Sequence, residues 1–374
     1  SAVTFSFITT GMFINRKTNI YNTLAASAFC LLVFNPFLLW DVGFQLSYAA
    51  VLSILLFTKP IYNCLYFQNK FLGKLWQLSC VNIAAQIFTL PIVLYYFHQF
   101  PLLFLFNNLL VIPLSEIILF ILLFLVVISK VSLLASLAGK SAGALLWWMN
   151  SIIEHTAKLP FSLLSNIKVD VAQALLLYII ILLLAVWLLY KLPRFFVYAL
   201  SLFLVFVIYV SVDVWRAGHQ HKLIVYNISQ HTAIDFISGS SKVCFCDSFL
   251  QKDAEANNFY MKPARIALRV KNDSDQLLSF NNNWTIQSSQ KTILIVSQPL
   301  SALVLHKKIK ADVVIITNGA KMLMSDLQKA VDCSWVVADN SISLRKIKEW
   351  KQDCDSLQVR FHSISQNGAL VMDW

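Results

Sequence analysis

Asn35-Pro36-Phe37-Leu38-Leu39-Trp40-Asp41-Val42-Gly43-Phe44-Gln45-Leu46-Ser47-Tyr48-Ala49-Ala50, continuing apolar to Phe57, sets an acid, an amide and a hydroxyl inside a run that otherwise reads as membrane. A charged side chain at the centre of a bilayer costs about 2.5–3.5 kcal/mol on insertion scales, so Asp41 is expected to face a protein interior or a water-filled path. Pro36 and Gly43 bracket the acid and predict a broken or re-entrant segment, tolerated at depth only where the freed backbone is buried or lines a cavity. The same residues admit a plainer reading, in which Asp41 caps a helix starting at Val42, with Gln45 and Tyr48 one turn apart on its face. Cap and cavity are compatible, and both stay open at this point.

Outward from this stretch, the chain has 374 residues, 58% hydrophobic and 13% charged, with a mean hydropathy of +0.66. Soluble domains carry about 25% charged residues, so the composition is that of a polytopic membrane protein. Residues 1–213 hold 11 Lys+Arg and 5 Asp+Glu, leaving 19 and 14 for residues 214–374. A membrane part, 1–213, therefore precedes a soluble part, 214–374.

Apolar spans are predicted over Ser1–Ile14, Ile20–Leu39, Val42–Phe57, Leu75–Phe97, Leu102–Ser129, Val171–Tyr190 and Phe195–Val212. Val131–Ile153, interrupted by Lys140, Ser141 and Gly143 and ending near Trp147-Trp148, either crosses or lies in the interface. The fold class is thus a polytopic α-helical membrane protein of about seven or eight membrane helices, with breaks allowed in some, followed by a soluble α/β domain. Arg16/Lys17, Lys59/Lys70/Lys74, Lys130 and Lys191/Arg194 fall on one side if Val131–Ile153 crosses, which makes that side cytoplasmic. Residues 214–374 are then extracytoplasmic.

From Lys222 the pattern changes to short apolar runs at Leu223–Tyr226, Ala233–Ile237, Lys242–Cys246, Thr292–Val296, Val313–Thr317, Trp335–Ala338 and Val359–His362. Helical patterns at Met322–Val331 and Ser343–Cys354 interleave with them, which argues an α/β domain. Cys333 and Cys354 can pair only in an oxidising compartment, and free thiols are the expectation. Cys244 and Cys246 share a strand face without a second pair at metal-site spacing.

Pro-x-x-x-x-Asp-x-Gly-Phe-Gln-Leu-Ser-Tyr-Ala-Ala resembles the signature of the ComEC-type competence proteins, inner-membrane channels that pass single-stranded DNA during natural transformation. Ala85-Gln86-Ile87-Phe88-Thr89-Leu90-Pro91 running to Phe97, and Phe100-Pro101 through Asn107-Asn108-Leu109-Leu110-Val111-Ile112-Pro113, are similar to that family in the same order. The resemblance covers residues 1–213 and implies a multi-pass protein of the bacterial inner membrane. Its partners would be single-stranded DNA, membrane lipid, a periplasmic DNA receptor and a cytoplasmic motor, with no small-molecule cofactor. The chain opens at Ser1 inside an apolar run and is expected to lack its true N-terminus, the resemblance implying an OB-like extracytoplasmic domain upstream.

That family often carries a metallo-β-lactamase-like domain after the channel, and residues 214–374 look like a degenerate version of it. Its two-metal chemistry needs a His-x-His-x-Asp-His cluster, which is missing here. An opening Asp-Val-Gly-Gln-Gly-Asp is matched by Asn227-Ile228-Ser229-Gln230-His231-Thr232, without either acid. Cys244-Phe245-Cys246-Asp247 keeps its acid, Asp339 is a possible second, and Ile295-Val296-Ser297-Gln298-Pro299-Leu300 offers no His. His219 and His221 precede the first strand with no acid following, and His231, His306 and His362 read as isolated. The expectation is no metal, no catalytic residue and no hydrolytic activity.

Single-stranded DNA needs polar or basic walls for phosphates and aromatic faces for bases. The candidate path residues are Asp41, Gly43, Phe44, Gln45, Ser47, Gln86, Asn107, Asn108 and Glu116, with Tyr48, Trp147, Trp148, Lys140 and Lys158 as further faces and charges. Asn82 and Gln86 share a helix face, where interhelical bonding between amides is the alternative role. Two other functions fit the residues: a small-solute or lipid-linked-precursor transporter with a polar midplane, and a membrane-embedded enzyme using Asp41 and Glu116 as acid and base.

Overall fold

The computed structural model describes Ser6 and residues 19–270, 276–278, 283–287, 291–298, 308–317 and 324–373. The expectations for Ser1–Ile14, Arg16, Lys17, Pro299, Leu300, His306 and the first two residues of the helix from Met322 lie outside these residues. The chain divides into two compact units, Ser1–Tyr209 and Val210–Trp374.

In the first unit, α1 (Ile20–Phe34) ends where Asn35 and Pro36 end it. Asn35 Oδ1 accepts the Phe37 N–H at 3.1 Å, and a 3₁₀ turn, Pro36–Trp40, follows with Pro36 in its first turn. The expected single span Ile20–Leu39 is therefore broken, because the residue before proline is pushed out of helical geometry. Then come α2 (Val42–Tyr62), α3 (Lys70–Phe97), α4 (Phe104–Val127), α5 (Ser132–Ala157), α6 (Val171–Tyr190) and α7 (Pro193–Gly218), the last running on into the second unit. Side chains cap several starts: Asn69 Oδ1 accepts Phe71 N–H at 2.9 Å, and Asp170 and Gln173 form a reciprocal capping box on α6.

Among the described residues, five helices are long and apolar enough to cross a membrane: α2, α3, α4, α6 and α7. The expected seven or eight are not all reached here, and Ser1–Ile14, one of them, lies outside the described residues but for Ser6. With 15 residues, α1 falls short of the roughly 20 that a bilayer needs. Although α5 is not one of the five, it runs back along α4. Two-residue strands β1 (Phe100–Pro101) and β2 (Leu163–Leu164), flanking the α4–α5 hairpin, pair antiparallel, with Phe100 opposite Leu164. The 26 residues of α5 thus return the chain over about 39 Å to the end where α4 began.

At the centre of this unit α3 packs against α2, α4 and α6. Its Ala84 and Phe88 are buried with Phe57 of α2 and Ala185 of α6. Ser53 of α2 hydrogen-bonds the Ala84 carbonyl and accepts the Phe88 N–H, and Tyr178 of α6 donates to the Phe88 carbonyl at 2.9 Å.

The second unit holds two five-stranded sheets. One runs β12 (Leu370–Asp373), β3 (His221–Val225), β4 (Ala233–Ser238), β5 (Ser241–Cys246), β6 (Gln276–Leu278), antiparallel except for β5–β6. The other runs β11 (Arg360–Ser363), β10 (Val331–Ala338), β9 (Ile309–Ile316), β8 (Thr292–Val296), β7 (Trp284–Gln287), parallel except for β7–β8. Strand alternation divides the apolar residues into three layers of core. Leu223, Val225, Ile234 and Phe236 meet Ile293, Ile295, Val313 and Ile315 between the sheets. On the outer face of the first sheet, Ile224, Cys244 and Cys246 pack under α8 (Ser248–Lys252), α9 (Ala254–Tyr260) and α10 (Lys262–Ala267). On the outer face of the second, Val314, Ile316 and Val336 pack under α11 (Met324–Ala330) and α12 (Leu344–Ser356). A one-turn helix, α13 (Ile364–Asn367), precedes β12. The order of layers is therefore α/β/β/α. The helix expected over Met322–Val331 stops at Ala330, because Val331 already pairs with Ile309 in the parallel ladder.

Candidate functional site

Asp41 is the N-cap of α2, its Oδ1 accepting the Phe44 N–H at 2.8 Å. It is exposed and stands at the start of a helix about 31 Å long, a position that fits the cap and leaves the path role open. Gly43 lets the carboxylate approach, since a Cβ there would lie 3.1 Å from Asp41 Oδ1. Gln45 Nε2 donates back to the Leu39 carbonyl at 2.9 Å, fastening the 3₁₀ turn to α2. Phe44 lies against Tyr48 with ring centroids 4.5 Å apart, and Tyr48 Oη is 3.0 Å from Ser27 Oγ of α1. The motif thus knits α1, the 3₁₀ turn and α2 together.

A second polar group forms between α3 and α4. Asn82, Gln86 and Thr89 recur at helical spacing on the face of α3 turned away from Ala84 and Phe88. Asn82 is 7% exposed, and Asn108 of α4 donates to its Oδ1 at 3.4 Å. Thr89 Oγ1 donates to Gln86 Oε1 at 2.8 Å. Asn82 Nδ2 and Asn107 Oδ1 are buried without a hydrogen-bond partner among the described residues. A buried polar atom left unpaired costs about 1–3 kcal/mol. Thr89 is the member that sequence reasoning missed, although its spacing from Gln86 announces it.

Of the remaining candidates, Ser47 is half-buried and Glu116 exposed, and neither makes a side-chain hydrogen bond among the described residues. Asp41 and Glu116 share no contact of the kind an acid–base pair needs. Trp147 and Trp148 line an open cavity of about 460 Å³ with Phe106, Leu110, Ser151 and Thr156, between α5 and α4.

In the second unit the β3–β4 turn, the end of β5 and the end of β10 converge. His231 Nδ1 lies 2.6 Å from Asp247 Oδ2, and the imidazole stacks on Phe249 at 4.4 Å. His231 is therefore not isolated, as the sequence suggested. Counting back from the two-residue turn Gly239-Ser240 would have found this pair, because the register sets Ala233 opposite Cys246 and so His231 and Thr232 beside Asp247. Thr232 Oγ1 bonds Asp339 Oδ2, Ser341 donates to Asp339 Oδ1 from both N–H and hydroxyl, and Asn340 Nδ2 donates to Asn227 Oδ1 at 2.8 Å. These donors do not fit a two-metal centre: both Asp339 oxygens are occupied by hydroxyl and amide donors, and His231 and Asp247 bond each other. No three His, Cys, Asp or Glu side chains converge among the described residues. His219 and His221 bond the Trp215 carbonyl and Ser238 Oγ.

Residues 1–191 match the family described as Competence protein, and residues 223–374 match the ComEC C-terminal domain. ComE operon protein 3 of Bacillus subtilis (strain 168) is 35% identical over 103 residues, which is 28% of this chain and 12% of that protein. No solved structure matches the chain.

Proposed function

The chain belongs to the competence protein family, and from that premise we propose that its membrane part passes single-stranded DNA across the bacterial inner membrane during natural transformation. The observation that carries this reading is the amide layer between α3 and α4, where Asn108 donates to Asn82 Oδ1 at 3.4 Å and Asn82 Nδ2 is buried without a partner among the described residues. Amides donate to phosphate oxygens and bond base edges of any sequence, so such a layer suits a polymer that must slide past it. Asp41, Gly43, Phe44, Gln45 and Ser47 shape the neighbouring helix start, and Gln86, Asn107, Asn108 and Glu116 complete the path. A periplasmic DNA receptor and a cytoplasmic motor supply and pull the strand.

The soluble unit stands outside the cytoplasm in this reading. Pairing of β1 with β2 gathers loops 98–103 and 158–170 at one end of the bundle, which bears Lys158 and Lys168. The opposite connections bear Lys59, Lys70, Lys74, Lys130, Lys191 and Arg194, the excess that marks the cytoplasmic side. Since α7 starts at that basic side, it delivers Val210–Trp374 to the other, where the domain guides DNA to the channel mouth without cutting it.

The test is import of labelled DNA by cells carrying Asn82→Leu or Asn108→Leu. DNA is expected to collect outside the inner membrane while its passage into the cytoplasm falls at least tenfold, with membrane abundance unchanged. Normal passage in both variants would overturn the path.

A further inference from the structure

The outer helical layer of the second unit contains a cavity of about 320 Å³ between β10, α11 and α12, and Cys333 and Cys354 both line it. Cys333 stands on β10 and Cys354 on α12, and both pack in the same apolar cluster. Ile347, Trp350 and Cys354 recur at helical spacing, so α12 lays Cys354 onto the sheet. Cys354 is 1% exposed, whereas Cys333 is only partly covered. Cys244 and Cys246 belong to the opposite helical layer.

We propose that Cys333 and Cys354 close into a disulfide when the domain meets an oxidising compartment, with a disulfide-bearing oxidant as the two-electron acceptor. The inference rests on the extracytoplasmic placement proposed above. Cys333, the reachable thiol, gives up its proton to water, and its sulfur attacks one sulfur of the oxidant, whose other sulfur leaves as a thiolate. Cys354 then loses its proton and attacks Cys333 Sγ, forming the intramolecular bond and releasing the second oxidant sulfur. The two cysteines are oxidised by two electrons, the oxidant's disulfide is reduced to two thiols, and the two protons end on those thiols. Burial, then the proximity of Cys333 and the carboxylates of Asp353 and Asp355, pushes Cys354 up to about 11, so the second attack is slow at neutral pH unless the pair is held together. Both cysteines line the same cavity and pack in the same cluster, which keeps them neighbours, and the bond staples α12 to β10.

The test uses the full chain in detergent, treated with oxidised glutathione, blocked with N-ethylmaleimide and digested. The peptides bearing Cys333 and Cys354 are expected to be joined and lighter by two hydrogen atoms than the two thiol peptides together. The joined species is expected to vanish in Cys333→Ser and in Cys354→Ser. Separate glutathione or maleimide adducts on the two wild-type cysteines would overturn the proposal, whether or not the serine variants fold. The same masses are read from acid-quenched cells. A pair that forms in detergent yet carries maleimide on both sulfurs from cells leaves the pairing standing and overturns the extracytoplasmic placement.

Discussion

Asp41 satisfies one of the backbone donors that every helix start leaves unpaired, and does so through its oxygen rather than its charge. An amide caps about as well as an acid, so Asp41→Asn should import DNA nearly as the parent does. Asp41→Ala should destabilise the start of α2 by about 1 kcal/mol and lower import. Loss of import in Asp41→Asn at normal membrane abundance would show that the charge itself is needed. Asp41 and Gly43 were legible as a unit from their spacing, but which of the two roles the acid takes was not. A carboxylate two residues from a glycine is compatible with both, and the cap is seen only once the next turn's N–H is placed against it, while the path role rests on the import assay.

Arg265 of α10 reaches under the first sheet and meets Asp235 of β4 with Nε–Oδ2 at 2.7 Å and Nη2–Oδ1 at 2.9 Å. Tyr226 donates to the same carboxylate at 2.8 Å, and Asn257 of α9 takes another guanidinium N–H. Asp235 is fully buried, so removing its partner leaves a charge in apolar surroundings. Arg265→Ala is expected to destabilise this unit by about 3–5 kcal/mol, whereas replacing both partners together should cost less. Protease resistance of residues 210–374 in the full-length chain, followed against temperature, measures it, and an unchanged profile would refute the claim. None of this network was anticipated, because Arg265 and Asp235 are 30 residues apart and only the crossing of α10 beneath β4 joins them. Seven of the ten strands described in this unit were legible from short apolar runs, and α3 from its hydropathy, since those signals are local, whereas β6, β7 and β12 were not.

For the protein as a whole, the basic connections predict which surfaces face outward. A cysteine placed near Lys252 should react with an impermeant maleimide in intact cells, and one near Lys70 should react only after lysis; early reaction at Lys70 would reverse the orientation. The donors around His231, Asp247 and Asp339 predict a second property, that residues 214–374 bind no stoichiometric zinc or manganese and cut no DNA. Metal analysis of the purified chain and a cleavage assay check it, and cleavage lost on Asp247→Ala would contradict it.

Composition, hydrophobic period and turn residues are properties of neighbours along the chain, and they were enough to separate a membrane part from an α/β part and to mark the Asn35–Ala50 motif. Which polar groups meet is a property of neighbours in space. Folding brought Asn82 to Asn108, His231 to Asp247, Thr232 to Asp339 and Cys333 into the cavity of Cys354, and it broke the span at Asn35-Pro36 and left Asp41 at a helix end. Each of these depends on the packing of separate elements, whose angles and register no local pattern specifies.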